Sequence, residues 1–316
     1  MSLEAVQAAA LALKSGRLVA FPTETVYGLG ADACSPEAVA KIYRAKGRPE
    51  DHPLIVHVSE LDRVFQWAAH VPDYAVRLAK VFWPGPMTLI LNRSPLAQDF
   101  ITGGQETVGI RVPNHPIARE LLNEFERIGG NGVAAPSANR FGKVSPTTFA
   151  GVFQELQNYL DPEDLIIDGG QSAVGIESTI VDCTGEAPKI LRLGAITPSM
   201  ISNVSGLILR QDDSNIRVSG LLASHYAPNA ELVLNQPASP GEGLIALSTH
   251  QTPLGVTRLA APATTTDYAN QLYLALRKAD DLGLTRVVAI TPEGDEIAQA
   301  ITDRLQKASH RTSESS

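Results

Sequence analysis

The chain has 316 residues, and its 26 Lys+Arg against 34 Asp+Glu give a formal net charge of −8. Hydrophobic residues at 44% and charged residues at 19% exclude a disordered or collagen-like chain and leave room for two domains or one large one. The acidic balance excludes a protein that binds nucleic acid with its whole surface, so an anionic ligand needs a local basic pocket.

Residues 1–16 lack a positive leader, and Glu4, Gln7 and Lys14 interrupt the apolar stretch, so an ordinary helix is expected rather than a signal peptide. No apolar run approaches the roughly 18 residues that span a bilayer. Cys34 and Cys183 are too few for a disulfide framework and have no CxxC partner for zinc. A soluble, cytoplasmic protein without a membrane partner is expected. Residues 18–21 read as a strand and 22–32 as turn-rich. Ser35-Pro36-Glu37 opens a helix with an N-cap, a proline at the first position and an early acid, and that helix runs to about Lys46.

The periodicity predicts strands at 54–58, 87–91, 107–112, 132–135, 165–167, 178–183 and 190–193, with helices at 61–69, 73–82 and 116–125. Such irregular alternation predicts an α/β fold with a mixed sheet. Residues 203–219 lapse into a polar, linker-like stretch. Strands at 231–234, 244–247 and 287–290 and helices at 268–282 and 295–307 then form a small Rossmann-like α/β unit. The polar tail 310–316 is expected to fray.

Residues 28–33 match the G-x-G-x-x-A variant of a dinucleotide fingerprint, but the helix begins only at Ser35, so a plain turn is the preferred reading. The loop around Thr25 packs two hydroxyls, a carboxylate and a phenol at a strand end, where ligands sit in α/β folds. Lys46 and Arg48 either complement a helix terminus or turn inward to grip a polyphosphate. In the second case Lys46, Arg48, His52 and His57 border one pocket with the Thr25 loop. His52 and His57 are an odd number of residues apart, which argues against a shared metal site. Arg111, on a strand, requires a carboxylate or phosphate ligand or an internal salt bridge.

Taken in order, PTETVYGLG (22–30), KGRP (46–49), PLIVHV (53–58), WPGPMTLIL (83–91), TVGIRVP (107–113), APSAN (135–139), STIVD (178–182) and LRLG (191–194) resemble the YrdC-type threonylcarbamoyl-AMP synthases. Residues 220–228, with the HYAP core, resemble the linker of the long, two-domain form. The resemblance implies a YrdC-like mixed twisted sheet over 1–204, a linker or lid over 205–228 and a small Rossmann-like C-terminal α/β domain over 229–309. It also implies a nucleotidyltransferase that condenses L-threonine, bicarbonate and ATP to threonylcarbamoyl-AMP, for threonylcarbamoyladenosine modification of tRNA. Downstream partners would be the tRNA threonylcarbamoyl-transfer machinery.

By the same resemblance, threonine lies against Thr25, His57, Arg111, Ala135 and Ser178. ATP meets Arg48, His52, Thr107, Ser137, Asn139, Ser145, Arg192 and His225, and Lys46 and Arg48 act on the phosphates. Mg2+ arrives on the ATP phosphates, with no metal cage in the protein. His52 stands where many members carry Asn, and 218–221 differs from the basic SPGM-type stretch of other linkers. The alternative class is a non-catalytic module binding double-stranded RNA or tRNA. A hydrogenase-maturation carbamoyltransferase shares the domain, but no acylphosphatase or zinc-finger region is expected ahead of it here.

Overall fold

The apolar run at 18–21 becomes the first strand of a large mixed sheet in the computed structural model, which describes residues 3–212, 215–220, 225–294 and 296–310. In chain order the first unit contains α1 (Leu3–Lys14), β1 (Val19–Phe21), β2 (Gly28–Asp32), α2 (Pro36–Lys46), β3 (Ile55–His57), α3 (Val64–Trp67), β4 (Ala68–His70), α4 (Asp73–Phe82) and β5 (Met87–Arg93). There follow α5 (Asp99–Thr102), β6 (Thr107–Arg111), α6 (Pro116–Arg127), β7 (Val133–Ala134), α7 (Phe149–Leu156), β8 (Leu165–Ile166), β9 (Thr179–Asp182), β10 (Lys189–Arg192) and α8 (Pro198–Ser205). The strand order is β10-β9-β5-β6-β3-β7-β2-β1-β8, with β4 beside β5. Pairs β3/β6, β5/β9 and β1/β8 are parallel and the others antiparallel, so the mixed sheet is as the alternation implied.

The second unit has β11 (Glu231–Leu234), β12 (Gly243–Ile245), β13 (Thr257–Ala260), α9 (Thr265–Asp281), β14 (Arg286–Ala289) and α10 (Glu296–Ser309). Its four strands, in the order β11-β14-β12-β13, are all parallel. Tyr268, Leu272, Tyr273 and Leu276 of α9 and Ile301 and Leu305 of α10 form its core. Val26, Val144, Ile176 and Tyr226 belong to the same apolar cluster, so the core of the second unit reaches across to the first. Each large side chain buried in such a seam contributes about 1.5–3 kcal/mol.

Three sequence expectations are corrected. Residues 28–32 are strand β2 rather than a plain turn. Gly30 is needed there because a Cβ would meet Phe21 and Val133 carbons at 2.8 Å, so this glycine serves close strand packing. The stretch 61–69 breaks into a 3-10 turn, the single turn α3 and strand β4, whose pairing with β5 outweighs the helical pattern. Helices α7 and α8 and strand β13 were not anticipated, and α8 extends into the polar stretch read as linker. Asp213, Ser214, the linker residues 221–224 and the tail 311–316 lie outside the described residues.

Candidate active site

Parallel pairing of β3 with β6 sets His57 opposite Arg111 at the ends of the two strands. The loop after β1 folds over them. Arg111 donates from Nη1 to Thr25 Oγ1 at 2.8 Å and from Nη2 to Glu24 Oε1 at 2.6 Å, and Glu24 also accepts from the Asn114 amide at 3.0 Å. The internal salt bridge, one of the alternatives expected for Arg111, is therefore present, while its Nε is buried and unpartnered. Thr23 Oγ1 lies 2.8 Å from Thr25 Oγ1 and donates to the Val26 carbonyl, which fixes the loop. Burial, with the Arg111 charge added, pushes the His57 imidazole down to about 3, so it is neutral at pH 7.

These groups form one wall of a cavity with about 50 Å³ of free space. Thr25, His57, Arg111, Ala135 and Ser178, the expected threonine set, all line it. Arg48, Ser137, Arg192 and His225, from the expected ATP set, line it as well, together with Ser219, Gly220 and Tyr226. Arg192 donates from Nε and Nη2 to the Ser178 carbonyl at 3.0 and 2.9 Å and from Nη1 to the Ser219 carbonyl at 2.9 Å. Arg48 Nη2 donates to the Ser219 hydroxyl at 3.0 Å. Two guanidinium groups thus hold two oxygens of one linker residue. Small-molecule sites usually offer about 300–1,000 Å³, and here the linker residues take up that room. Gly220, with φ +86, adopts a backbone suited to glycine, and a Cβ there would lie 2.4 Å from the Tyr226 hydroxyl oxygen.

The cavity does not include every expected residue. Lys46 turns inward at the end of α2, but its Nζ donates to the Ser137 and Asn139 carbonyls at 2.5 Å and does not border the cavity. Burial, reinforced by the Arg48 charge, lowers its pKa well below the usual lysine value. His52 also stays outside, edge-on to Phe141 at 5.3 Å between ring centroids, so the expectation that Lys46, Arg48, His52 and His57 share one border fails for Lys46 and His52. Thr107 lies in a neighbouring crevice with Arg217 and Ser219, and its hydroxyl is buried without a partner. Asn139 and Ser145 are buried behind the wall. Asn139 Nδ2 donates to the Arg140 and Lys143 carbonyls, and Ser145 Oγ donates to Glu177 Oε1 at 2.7 Å.

The sequence showed Glu24 as the carboxylate of the Thr25 loop and Glu177 ahead of Ser178 but assigned no role to either, although they are the carboxylates that pair with Arg111 and Arg304. Glu24 sits inside the motif between two named threonines, so its charge opposite Arg111 was an available signal. The role of Glu177 was not legible, because two of its partners, Tyr273 and Arg304, come from the second unit. Burial favours the protonated form of Glu177, but Arg304, Arg192 and the Ser145 hydroxyl outweigh it and hold the carboxyl down to about 2. Among the described residues no group of three or more His, Cys, Asp or Glu could hold a metal ion.

Fold and site together define an α/β ligand-binding protein in which a small pocket with a guanidinium clamp adjoins a second set of buried cations under a linker. The model of the Sua5/YciO/YrdC family, described as "Telomere recombination", matches residues 11–194, and that of the "Threonylcarbamoyl-AMP synthase, C-terminal domain" matches residues 196–310. The chain belongs to this family, in its two-domain form. The threonylcarbamoyl-AMP synthase of Pyrococcus abyssi (strain GE5 / Orsay) is 37% identical, with 96% of this chain and 94% of that protein aligned. The threonylcarbamoyl-AMP synthase of Bacillus subtilis (strain 168) is 38% identical, with 96% and 92% aligned. The crystal structure of P. abyssi Sua5 complexed with L-threonine superposes with a TM-score of 0.87 at 35% identity, covering 98% of this chain and 95% of that one.

Proposed function

We infer that the protein is an L-threonylcarbamoyladenylate synthase, condensing L-threonine, bicarbonate and ATP with release of pyrophosphate. The observation that carries this reading is a single cavity lined both by Thr25, His57 and Arg111 and by Arg48, Arg192 and His225. The threonine carboxylate would pair with Arg111, whose charge is shared with Glu24 and whose Nε is free to donate. Neutral His57 and the Thr25 hydroxyl beside it suit the amine end better than a second cation would.

Bicarbonate yields CO2 with loss of water, and the threonine amine adds to it, releasing a proton, to give a carbamate. A carbamate oxygen then attacks the α-phosphorus, and the bond to the bridging oxygen breaks with pyrophosphate leaving. Arg48 and Arg192 meet the charge that develops on the phosphates, and positioning supplies much of the remaining acceleration. Mg2+ enters with ATP as part of the substrate, since the carboxylates at hand are already committed to Arg111 and Arg304. The nucleotide must displace the Ser219 oxygens from Arg48 and Arg192, so the linker segment 215–220 acts as a lid that exchanges its own contacts for those of the triphosphate. The product supplies the threonylcarbamoyl group for threonylcarbamoyladenosine in tRNA, with AMP as the leaving group, through a separate transfer machinery.

The test is pyrophosphate release with each substrate omitted in turn. All three are required on this reading, and equal release from ATP alone would overturn it. Salt-sensitive binding of RNA without turnover would point instead to a binding module.

A further inference from the structure

Behind the nucleotide wall lies a buried cluster to which three parts of the chain contribute. Glu177 comes from the catalytic unit, Tyr226 from the linker, and Tyr273 and Arg304 from helices α9 and α10 of the second unit. Glu177 Oε2 accepts from Tyr273 OH at 2.8 Å and from Arg304 Nε at 2.9 Å, while its Oε1 accepts from Ser145. Arg304 is fully buried, and its Nη2 donates to the Leu193 carbonyl at 2.8 Å, next to Arg192. Its guanidinium carbon lies 5.4 Å from the centre of the Tyr226 ring, which stacks on Tyr273 at 5.5 Å and meets His225 edge-on at 4.0 Å. Glu177, His225 and Tyr226 themselves line the cavity.

A buried arginine spanning two units is an expensive way to fasten them, since apolar packing would serve equally well. Its particular effect is on Glu177. Without a cation beside it, a carboxylate at this depth would take up a proton and lose its grip on the Ser145 and Tyr273 hydroxyls.

We propose that Arg304 and Tyr273 of the C-terminal domain are positioning residues for the nucleotide half of the site, acting through Glu177 and the Tyr226 ring rather than by touching substrate. The second domain is then part of the machinery that shapes the ATP wall. This rests on the synthase reading above. The groups facing Glu177 are Arg192 from β10, Arg304 from α10 with Asp303 beside it, Tyr273 from α9, and His225 and Tyr226 from the linker. Of these only Arg192 and Arg304 are cations at neutral pH, so removing Arg304 halves the positive charge that keeps Glu177 ionised.

The experiment is steady-state pyrophosphate release by the full chain from pH 5 to 9, for the parent, Arg304→Gln, Arg304→Lys, Tyr273→Phe and Arg304→Gln/Glu177→Gln. Parent turnover, measured first, tests the synthase reading separately. Arg304→Gln is expected to raise KM for ATP about tenfold or more, as for a lost charge-assisted contact, and to leave KM for threonine within about twofold. It should also gain, relative to the parent profile, an additional acid limb, because Glu177 then protonates more readily. Arg304→Lys should restore the parent profile in part, and the double variant should lose the additional limb. Should Arg304→Gln fail to fold, as judged by circular dichroism, Tyr273→Phe carries the test, with a smaller rise in KM for ATP alone. An active parent whose folded variants change neither KM nor pH profile, or raise both KM values equally, would overturn the proposal.

Discussion

Arg111 and Arg48 line one cavity, and the different ligand proposed for each makes them separable. Arg111→Lys keeps the charge but loses the fork that reaches Thr25 and Glu24. Threonine binding should weaken about ten- to hundredfold and ATP binding little, whereas Arg48→Ala should do the reverse. Calorimetric titrations in which both variants weaken both ligands equally would contradict that assignment. The two buried histidines give a second expectation. His57 and His225 are each pushed down to about 3 from the usual 6.5 by burial and neighbouring cations. Between those limits the unfolded chain binds protons that the folded chain refuses, so this stability is complete above about pH 6.5 and is lost as pH falls toward 3. At pH 5 the loss is on the order of 2 kcal/mol per histidine. Urea midpoints at pH 7.5 and 5 should therefore diverge less in a His57→Gln/His225→Gln variant than in the parent, and equal divergence would contradict the depressed values. The motif residues Thr25, His57, Arg111, Ala135 and Ser178 were legible through the resemblance their motifs carry, and the strands and loops that bear them bring all five to one cavity. Lys46 misled, because sequence shows a cation at a helix end but not the two carbonyls that claim it.

At the scale of elements, helices with strong caps could be read closely. Ser35 accepts from the Ala38 amide at 3.2 Å at the start of α2, and α4 has the bounds its pattern implied. Helix α8 carried the same kind of signal in Thr197 and Pro198 and was overlooked because a polar composition suggested a linker. Helix α7 was hidden by Gly151 in its first turn, next to its N-cap Thr148. Helix α9 is opened by a capping box, with Thr264 Oγ1 accepting from the Asp267 amide at 3.1 Å and Asp267 accepting in return from the Thr264 amide at 3.2 Å. Thr264→Ala should lower stability by about 1 kcal/mol, read as a shift in urea midpoint at unchanged slope. An unchanged midpoint would mean that packing on the second core, not the cap, fixes the helix start. The linker offers a further expectation. Residues 215–220 are held by Arg217, which donates to the Gly103 carbonyl, and by Ser219 on Arg48 and Arg192. ATP and threonine together should change the rate of limited proteolysis within 215–220 several-fold, whereas a rate indifferent to ligands would reduce this segment to a tether.

Across the whole molecule, the formal charge of −8 and the cation-rich cavity are compatible because the cavity's arginines are buried, Arg111 paired with Glu24 and Arg48 and Arg192 held on hydroxyl and carbonyl oxygens. Two units, a mixed sheet and a parallel one, could be read from the order of the elements. The junction between them could not, since Glu177 and Arg304 stand 127 positions apart and nothing in either neighbourhood announces the other. That junction gives the second unit a physical route to the site, and the synthase chemistry gives the route a purpose. The most direct measurement is mass spectrometry of the product formed by the full chain from ATP, L-threonine and 13C-labelled bicarbonate. An adenylate that contains threonine and one labelled carbon is expected, formed together with pyrophosphate and absent when any one substrate is withheld. Hydrolysis of ATP to AMP or ADP without incorporation of the labelled carbon would contradict the synthase reading.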